Sequence, residues 1–210
     1  VILGVSFLVY VMMDLAPGNM IDMISGDMTE TIDDFKTRLQ TLQDAALEDA
    51  DYGDKADEFA TTLSGIQQAA AAIAEEVTQH EDAGDIAPYV DNIEGRIQAQ
   101  ETAWTNLQAA ASDQAEKVDT NNATVEGLNG RIATLENAKL TGEYSPTQTT
   151  ALGNRLQAIK TAVAAIKEGV ETNAAEIQDY IGGENGYDTL LAAQETAWTT
   201  LQNDAETAAS

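Results

Sequence analysis

An inward-facing position recurs at alternating steps of four and three residues from Ile93 to Leu135. It passes through Ile93, Ile97, Gln100, Trp104, Leu107, Ala111, Gln114, Val118, Asn121, Val125, Leu128, Ile132 and Leu135, six heptads without a slip. A helix lying on a globular core needs a stripe of period 3.6, whereas a strict 3.5 spacing keeps one seam turned toward helices that wrap around it. The pattern therefore predicts a long helix that supercoils with others. Shorter stretches carry the same spacing: Ile32, Phe35, Leu39, Leu42 and Ala46; Leu63, Ile66, Ala70, Ile73, Val77 and His80; and Leu156, Ile159, Val163, Ile166, Val170, Asn173, Ile177 and Tyr180. Breaks are expected at Asp49–Asp57 with Gly53, at Ala83–Tyr89 with Gly84 and Pro88, at Ala138–Thr147 with Gly142 and Pro146, and at Gly182-Gly183. Tyr52 and Tyr144 suggest turns packed by a tyrosine at two of them.

The segment Ala99–Gln108 (AQETAWTNLQ) returns almost unchanged as Ala193–Gln202, offset by 94 residues, and Leu63, Ile66, Ile73 and Val77 return as Leu156, Ile159, Ile166 and Val170 at an offset of 93. Self-similarity at a fixed period marks a tandem repeat. The organisation read from it is an apolar attachment segment over 1–28, a short amphipathic coil over 29–48, a first coiled-coil repeat over 49–140, and a second over 141–210 that is truncated.

The heptad identities mix β-branched, aromatic and amide residues and do not fix the number of strands. Asn121 in Val118-x-x-Asn121-x-x-x-Val125, and Asn173 in Val170-x-x-Asn173-x-x-x-Ile177, resemble the Asn layers in the stalks of trimeric autotransporter adhesins and of trimeric viral fibres. That resemblance spans about residues 60–210, without the head and barrel-anchor domains of the adhesins. It implies an all-α, extended, parallel, homotrimeric coiled coil in which Asn121 and Asn173 form polar core layers able to hold an axial anion or water. A dimer, or a bundle made of one chain's own helices, remains open on the residues alone. Interchain steps pairing Arg96 with Glu101 and Arg131 with Glu136 fit parallel strands, while Arg155 set against Lys160 does not.

The chain begins with Val1–Met13 (VILGVSFLVYVMM), and a start without Met leads us to expect residues upstream. Thirteen residues reach about 20 Å as a helix, short of a bilayer core of about 30 Å. Val1, Ile2, Leu3, Phe7, Leu8, Val11 and Met12 are the expected attachment face, for a virion or envelope component or for a membrane. The first 28 residues, through Leu15-Ala16-Pro17-Gly18, resemble the first membrane span of dipeptide and oligopeptide transporter permeases, but the further spans of a permease are missing from 29–210.

Thirty-six acidic against ten basic side chains give a formal charge of -26, which excludes nucleic acid as a partner because no basic face exists to displace phosphate counterions. The composition also fits a high-salt habitat. With no cysteine there is no disulfide, thiolate metal site or thiol nucleophile. His80, the one histidine, would in a trimer bring three imidazoles to the axis as a metal-binding or pH-sensing layer, or would serve as a plain polar layer in place of Asn. Trp104 and Trp198 read as core packing at a widened layer. Carboxylate pairs such as Glu75-Glu76 and Asp33-Asp34 lack the pocket that would separate their pKa values. No phosphate loop, nucleophile elbow or calcium loop occurs, so no enzymatic activity and no cofactor are expected. The sequence points to a fibre or stalk that displays a binding tip from a virion or cell surface. The alternative is a membrane-associated accessory protein anchored by residues 1–13.

Overall fold

Residues 28–209 are described by a computed structural model, and every described element is helical. We number the helices α1 (Met28–Gln43), α2 (Ala56–Ala83), α3 (Val90–Glu136), α4 (Pro146–Thr172), α5 (Gln178–Ile181) and α6 (Tyr187–Ala209), with single 3₁₀ turns at Gly53–Lys55, Ala87–Tyr89 and Ala174–Glu176. The attachment residues Val1 to Met12 lie outside the described residues.

Local chemistry sets the helix ends. At the start of α4 the Ser145 hydroxyl accepts from the Gln148 N–H while the Gln148 side chain accepts from the Ser145 N–H, and Pro146 fills the first helical position, where a missing N–H costs nothing. At the end of α2, Gly84 adopts φ +70°, donating to the Glu81 carbonyl, while Asp85 donates to that of His80. This is the two-bond left-handed cap that satisfies carbonyls otherwise orphaned at a helix end. Between α3 and α4 the Tyr144 ring folds over Gly142, where an added Cβ would meet its hydroxyl at 2.6 Å. Tyr144 also packs against the neighbouring core, as the sequence suggests for this turn.

The chain divides into two units. Unit 1 takes the described residues up to Glu48 together with Asp57–Ala110, and unit 2 takes Asp49–Ala56 and Ala111–Ser210. Unit 1 holds α1, α2 and the first part of α3. Lys36 in the middle of α1 pairs with Glu81 near the end of α2, while Gln67 Nε2, further back along α2, donates to the Gln43 and Ala45 carbonyls at 3.1 and 3.0 Å where α1 ends, so α1 and α2 run antiparallel. The pairing of Arg96 with Glu76 and the stacking of Tyr89 on His80 make α2 and α3 antiparallel as well. Ile32, Phe35, Leu39 and Leu42 of α1 are buried together with Ile66, Ala70, Ile73 and Val77 of α2 and Ile93 and Ile97 of α3.

Unit 2 repeats this design with the rest of α3, α4 and α6. Lys167 contacts Glu136 at 3.2 Å and Asn121 donates to the Ala175 carbonyl, while Arg155 meets Asp204 and Asn173 meets Tyr187, each at 2.7 Å. Each successive pair of helices is again antiparallel. Its core is built from Leu128, Ile132 and Leu135 of α3, Ile159, Val163, Ile166 and Val170 of α4, and Leu191, Leu201 and Ala205 of α6, joined by Ile177. Each fully buried Leu or Ile contributes on the order of 1.5–3 kcal/mol.

The protein is thus all-α, but within each unit the seam expected to face other copies of the chain is covered by the chain's own antiparallel helices. Up-down three-helix packing uses the same side-chain interdigitation as a coiled coil between chains, so a heptad stripe cannot say whose helix it meets. The interchain charge steps also resolve differently. Arg96 engages Glu76, and Glu136 engages Lys167; Arg155 faces Asp204 instead of Lys160. The units divide at Glu48/Asp49, at Ala56/Asp57 and, inside α3, at Ala110/Ala111. The helix α1 belongs to the repeat too. Ile32, Phe35, Leu39 and Leu42 recur 93 residues later as Val125, Leu128, Ile132 and Leu135.

Candidate functional site

The strongest polar constellations are two matching ties, one per unit. In unit 1, Arg38 on α1 sends Nε and Nη2 to the two carboxylate oxygens of Glu101, both at 2.7 Å, and Nη1 to Glu94 at 2.7 Å and Asp34 at 3.4 Å. In unit 2, Arg131 Nε and Nη2 engage Glu195 at 2.7 and 2.9 Å, and Nη1 engages Asp188. Arg131 stands 93 positions after Arg38, and Asp188 and Glu195 stand 94 after Glu94 and Glu101. The planar guanidinium fits a carboxylate through two parallel N–H bonds, which fixes orientation as well as adding energy. Since the two carboxylates are seven residues apart on the third helix, the fork spans two turns of it and holds its height against the first helix. Burial of Arg38 by itself disfavours its charge, but the bonds to Glu101 and Glu94 outweigh that and hold its proton more tightly than usual. For Arg131 the bond to Glu195 leads, opposed by burial and reinforced by Asp188, with the same direction. Each guanidinium is spent on a structural contact, so neither is offered to a ligand.

The two asparagines expected as polar layers have different surroundings within unit 2. Asn121 is buried at 3 % exposure in unit 2; its Nδ2 donates to the Ala175 carbonyl, and its Oδ1 has no hydrogen-bond partner. Asn173 is only half-buried and ends α4, where its Nδ2 donates to the Gly169 carbonyl at 3.0 Å and to the Tyr187 hydroxyl at 2.7 Å. Both amides thus meet carbonyl or hydroxyl groups of their own unit. His80 lies half-buried in the last turn of α2, with Nδ1 2.8 Å from Asp85 Oδ1 and its ring stacked on Tyr89 at 3.7 Å. Within unit 1 it closes a helical hairpin. Among the described residues no three His, Asp or Glu side chains come together in a way that could hold a metal ion.

Trp104 and Trp198 are half-buried at matching positions, and Trp198 packs against the core of unit 2. Tyr180, placed on the seam by its spacing, is 42 % exposed because the helix breaks before reaching it. Depressions at Asp113, Glu116, Lys117, Thr120 and Gln178, and at Ala60, Thr61, Ser64, Gly65 and Gln68, are open to solvent. They lack the enclosure that lets a small-molecule site exclude water. No described helix is long and apolar enough to cross a membrane.

Arg38 escapes a reading that treats 29–48 as a separate coil. The signal was present in Phe35-x-x-Arg38-Leu39-x-x-Leu42 beside Leu128-x-x-Arg131-Ile132-x-x-Leu135. No family model, curated protein or solved structure matches this chain.

Proposed function

We propose that this chain is a structural spacer, a stalk element of a virion or cell-surface appendage, built from consecutive three-helix units rather than from strands of several chains. The observation that carries the reading is the recurrence of the arginine tie: Arg38 with Glu94 and Glu101, then Arg131 with Asp188 and Glu195. A repeated device that holds helices in register, using charged groups that a catalytic site would need free, serves construction. The large acidic excess keeps such a surface soluble and self-repelling. Attachment through Val1, Ile2, Leu3, Phe7, Leu8, Val11 and Met12 belongs to the same proposal.

Sedimentation velocity and native mass spectrometry test it. The expected result is a single 22.3 kDa chain whose frictional ratio exceeds that of a compact sphere. A trimer would return the seam to partner chains and overturn the single-chain reading, and a spherical particle would overturn spacing. The apolar run Val1–Met13 favours a second reading, a membrane-associated accessory protein. That reading requires detergent for extraction, and it fails if the intact chain leaves membranes with salt alone.

A further inference from the structure

The two units join their second and third helices differently. In unit 1, α2 stops at the Gly84 cap and one 3₁₀ turn leads into α3. In unit 2, α4 ends at Asn173 and the chain adds the 3₁₀ turn Ala174–Glu176, the four-residue α5 and a turn in which Gly183 takes φ +82°. The internal bonds of this insertion include two short-range ones, Glu176 N–H to the Asn173 carbonyl and Tyr180 N–H to the Ile177 carbonyl, each at 3.0 Å. Bonds of that span have poorer geometry than those of an α-helix and do not hold a segment alone. Three attachments to the rest of unit 2 do. Asn121 Nδ2 donates to the Ala175 carbonyl, Gln178 Nε2 donates to Thr124 Oγ1 at 2.8 Å, and Ile177 is fully buried in the core.

Asn121 is energetically odd in this position. An apolar side chain there would satisfy the seam, whereas the amide leaves a buried Oδ1 unpaired, which is unfavourable by itself. What the amide adds is a donor aimed at a carbonyl just past the end of α4. The matching position in unit 1, 93 residues earlier, is Met28, and unit 1 has no such insertion. We propose that Ala174–Ile181 is a detachable strap on α3 whose closed position is set by Asn121, and that it opens and uncovers Ile177 without unfolding unit 2. Local openings of this kind arise where few buried contacts and weak backbone bonds coincide.

Native-state hydrogen exchange on the full chain tests this. The amides of 174–181 should exchange faster than those in the middle of α4 and α6. In Asn121→Leu their exchange should rise by about tenfold, the loss of roughly one hydrogen bond, while the helix centres keep or gain protection. Asn121→Asp, which removes the donor, should loosen the same segment. Thr124→Val cuts the second tie without touching the buried amide and should give a smaller rise, so it decides the matter if the position-121 variants do not fold. Strap amides as protected as the helix centres in the wild type would overturn the proposal. So would an Asn121→Leu chain, or failing its folding a Thr124→Val chain, in which exchange is unchanged or rises equally throughout unit 2.

Discussion

Units 1 and 2 solve one packing problem with different side chains, and the substitutions occur in compensating sets. At one layer unit 1 has Ile93, Glu76 and His80, and the matching positions of unit 2 carry Tyr187, Gly169 and Asn173. The larger ring on α6 fits because the facing residue on α4 has no side chain. A Cβ on Gly169 would meet the Tyr187 hydroxyl at 2.5 Å. The hydroxyl that the ring brings into this layer is then satisfied by Asn173. The arginine ties differ in the opposite sense, keeping their chemistry while changing exposure. The Arg38 side chain is 11 % exposed and Arg131 is 30 % exposed. What is common to the two units is therefore the height relation between first and third helix, while the residues that fill the layers vary.

The largest effects should come from the shared core. Leu39→Ala in unit 1 and Ile132→Ala in unit 2 remove matching, fully buried side chains and should each cost about 2–5 kcal/mol, the transfer loss plus the cavity left behind. Each unit holds one tryptophan, Trp104 or Trp198, so Trp104→Phe and Trp198→Phe backgrounds let denaturant melts read the units separately. Leu39→Ala should shift the Trp104 transition more than the Trp198 transition, and Ile132→Ala the reverse. Equal shifts in both would mean that the units unfold as one body.

Next comes Arg38→Ala, which strands Glu94 and Glu101, each less than a third exposed. Removing one member of a fully buried pair costs about 3–5 kcal/mol, and this partly exposed tie should cost about 2–3 kcal/mol. Its folded-state proton affinity is raised, so its contribution is fully present below arginine's ordinary titration range and disappears only above it. Raising the pH to about 10 should leave the difference between wild type and Arg38→Ala unchanged. A difference that vanished on mild alkalinisation would mean that some other group holds the helices together.

How much of this was legible follows from what each signal encodes. Gly84, Pro146 and Gly182-Gly183 act on backbone geometry within a few residues, so the helix breaks stood in the sequence. The seam was legible for the same reason, because periodicity is local. The identity of the covering helix was not, since Ile97 or Leu201 is equally well buried by a copy of the chain or by its own α1 or α4. The arginine ties join residues 56 to 64 positions apart, and only the fold brings them together. Asn121 and Asn173 look alike as heptad positions but separate in three dimensions, because α4 ends at Asn173 while α3 runs on through Asn121.

The compensating layer gives a smaller effect whose direction is decided by two opposed terms. Gly169→Ala gains about 1 kcal/mol in helix propensity but forces the Tyr187 ring out of place, for a net loss of about 1–2 kcal/mol. Adding Tyr187→Ile, the residue found at the matching place in unit 1, should recover the propensity gain and make the double variant more stable than Gly169→Ala alone. A double variant no better than additive would show that the exchange is not coupled, and the layers would have to be treated as independent.

The smallest expected effect separates the two arginines. Arg131→Ala should cost about 0.5–1 kcal/mol, because its partners Asp188 and Glu195 are 63 % and 42 % exposed and an accessible pair gains little over water. Salt sharpens the contrast. At about 1 M the screening length falls to about 3 Å, so the Arg131→Ala penalty should shrink toward zero while most of the Arg38→Ala penalty remains. Screening also relieves the mutual repulsion behind the formal charge of -26, so all variants should gain stability together as salt rises. The informative quantity is therefore the gap between each variant and wild type at every salt concentration. If the Arg131 gap persisted as the Arg38 gap does, exposure would not be what distinguishes the two ties, and the difference between the units would have to lie in the helices they join.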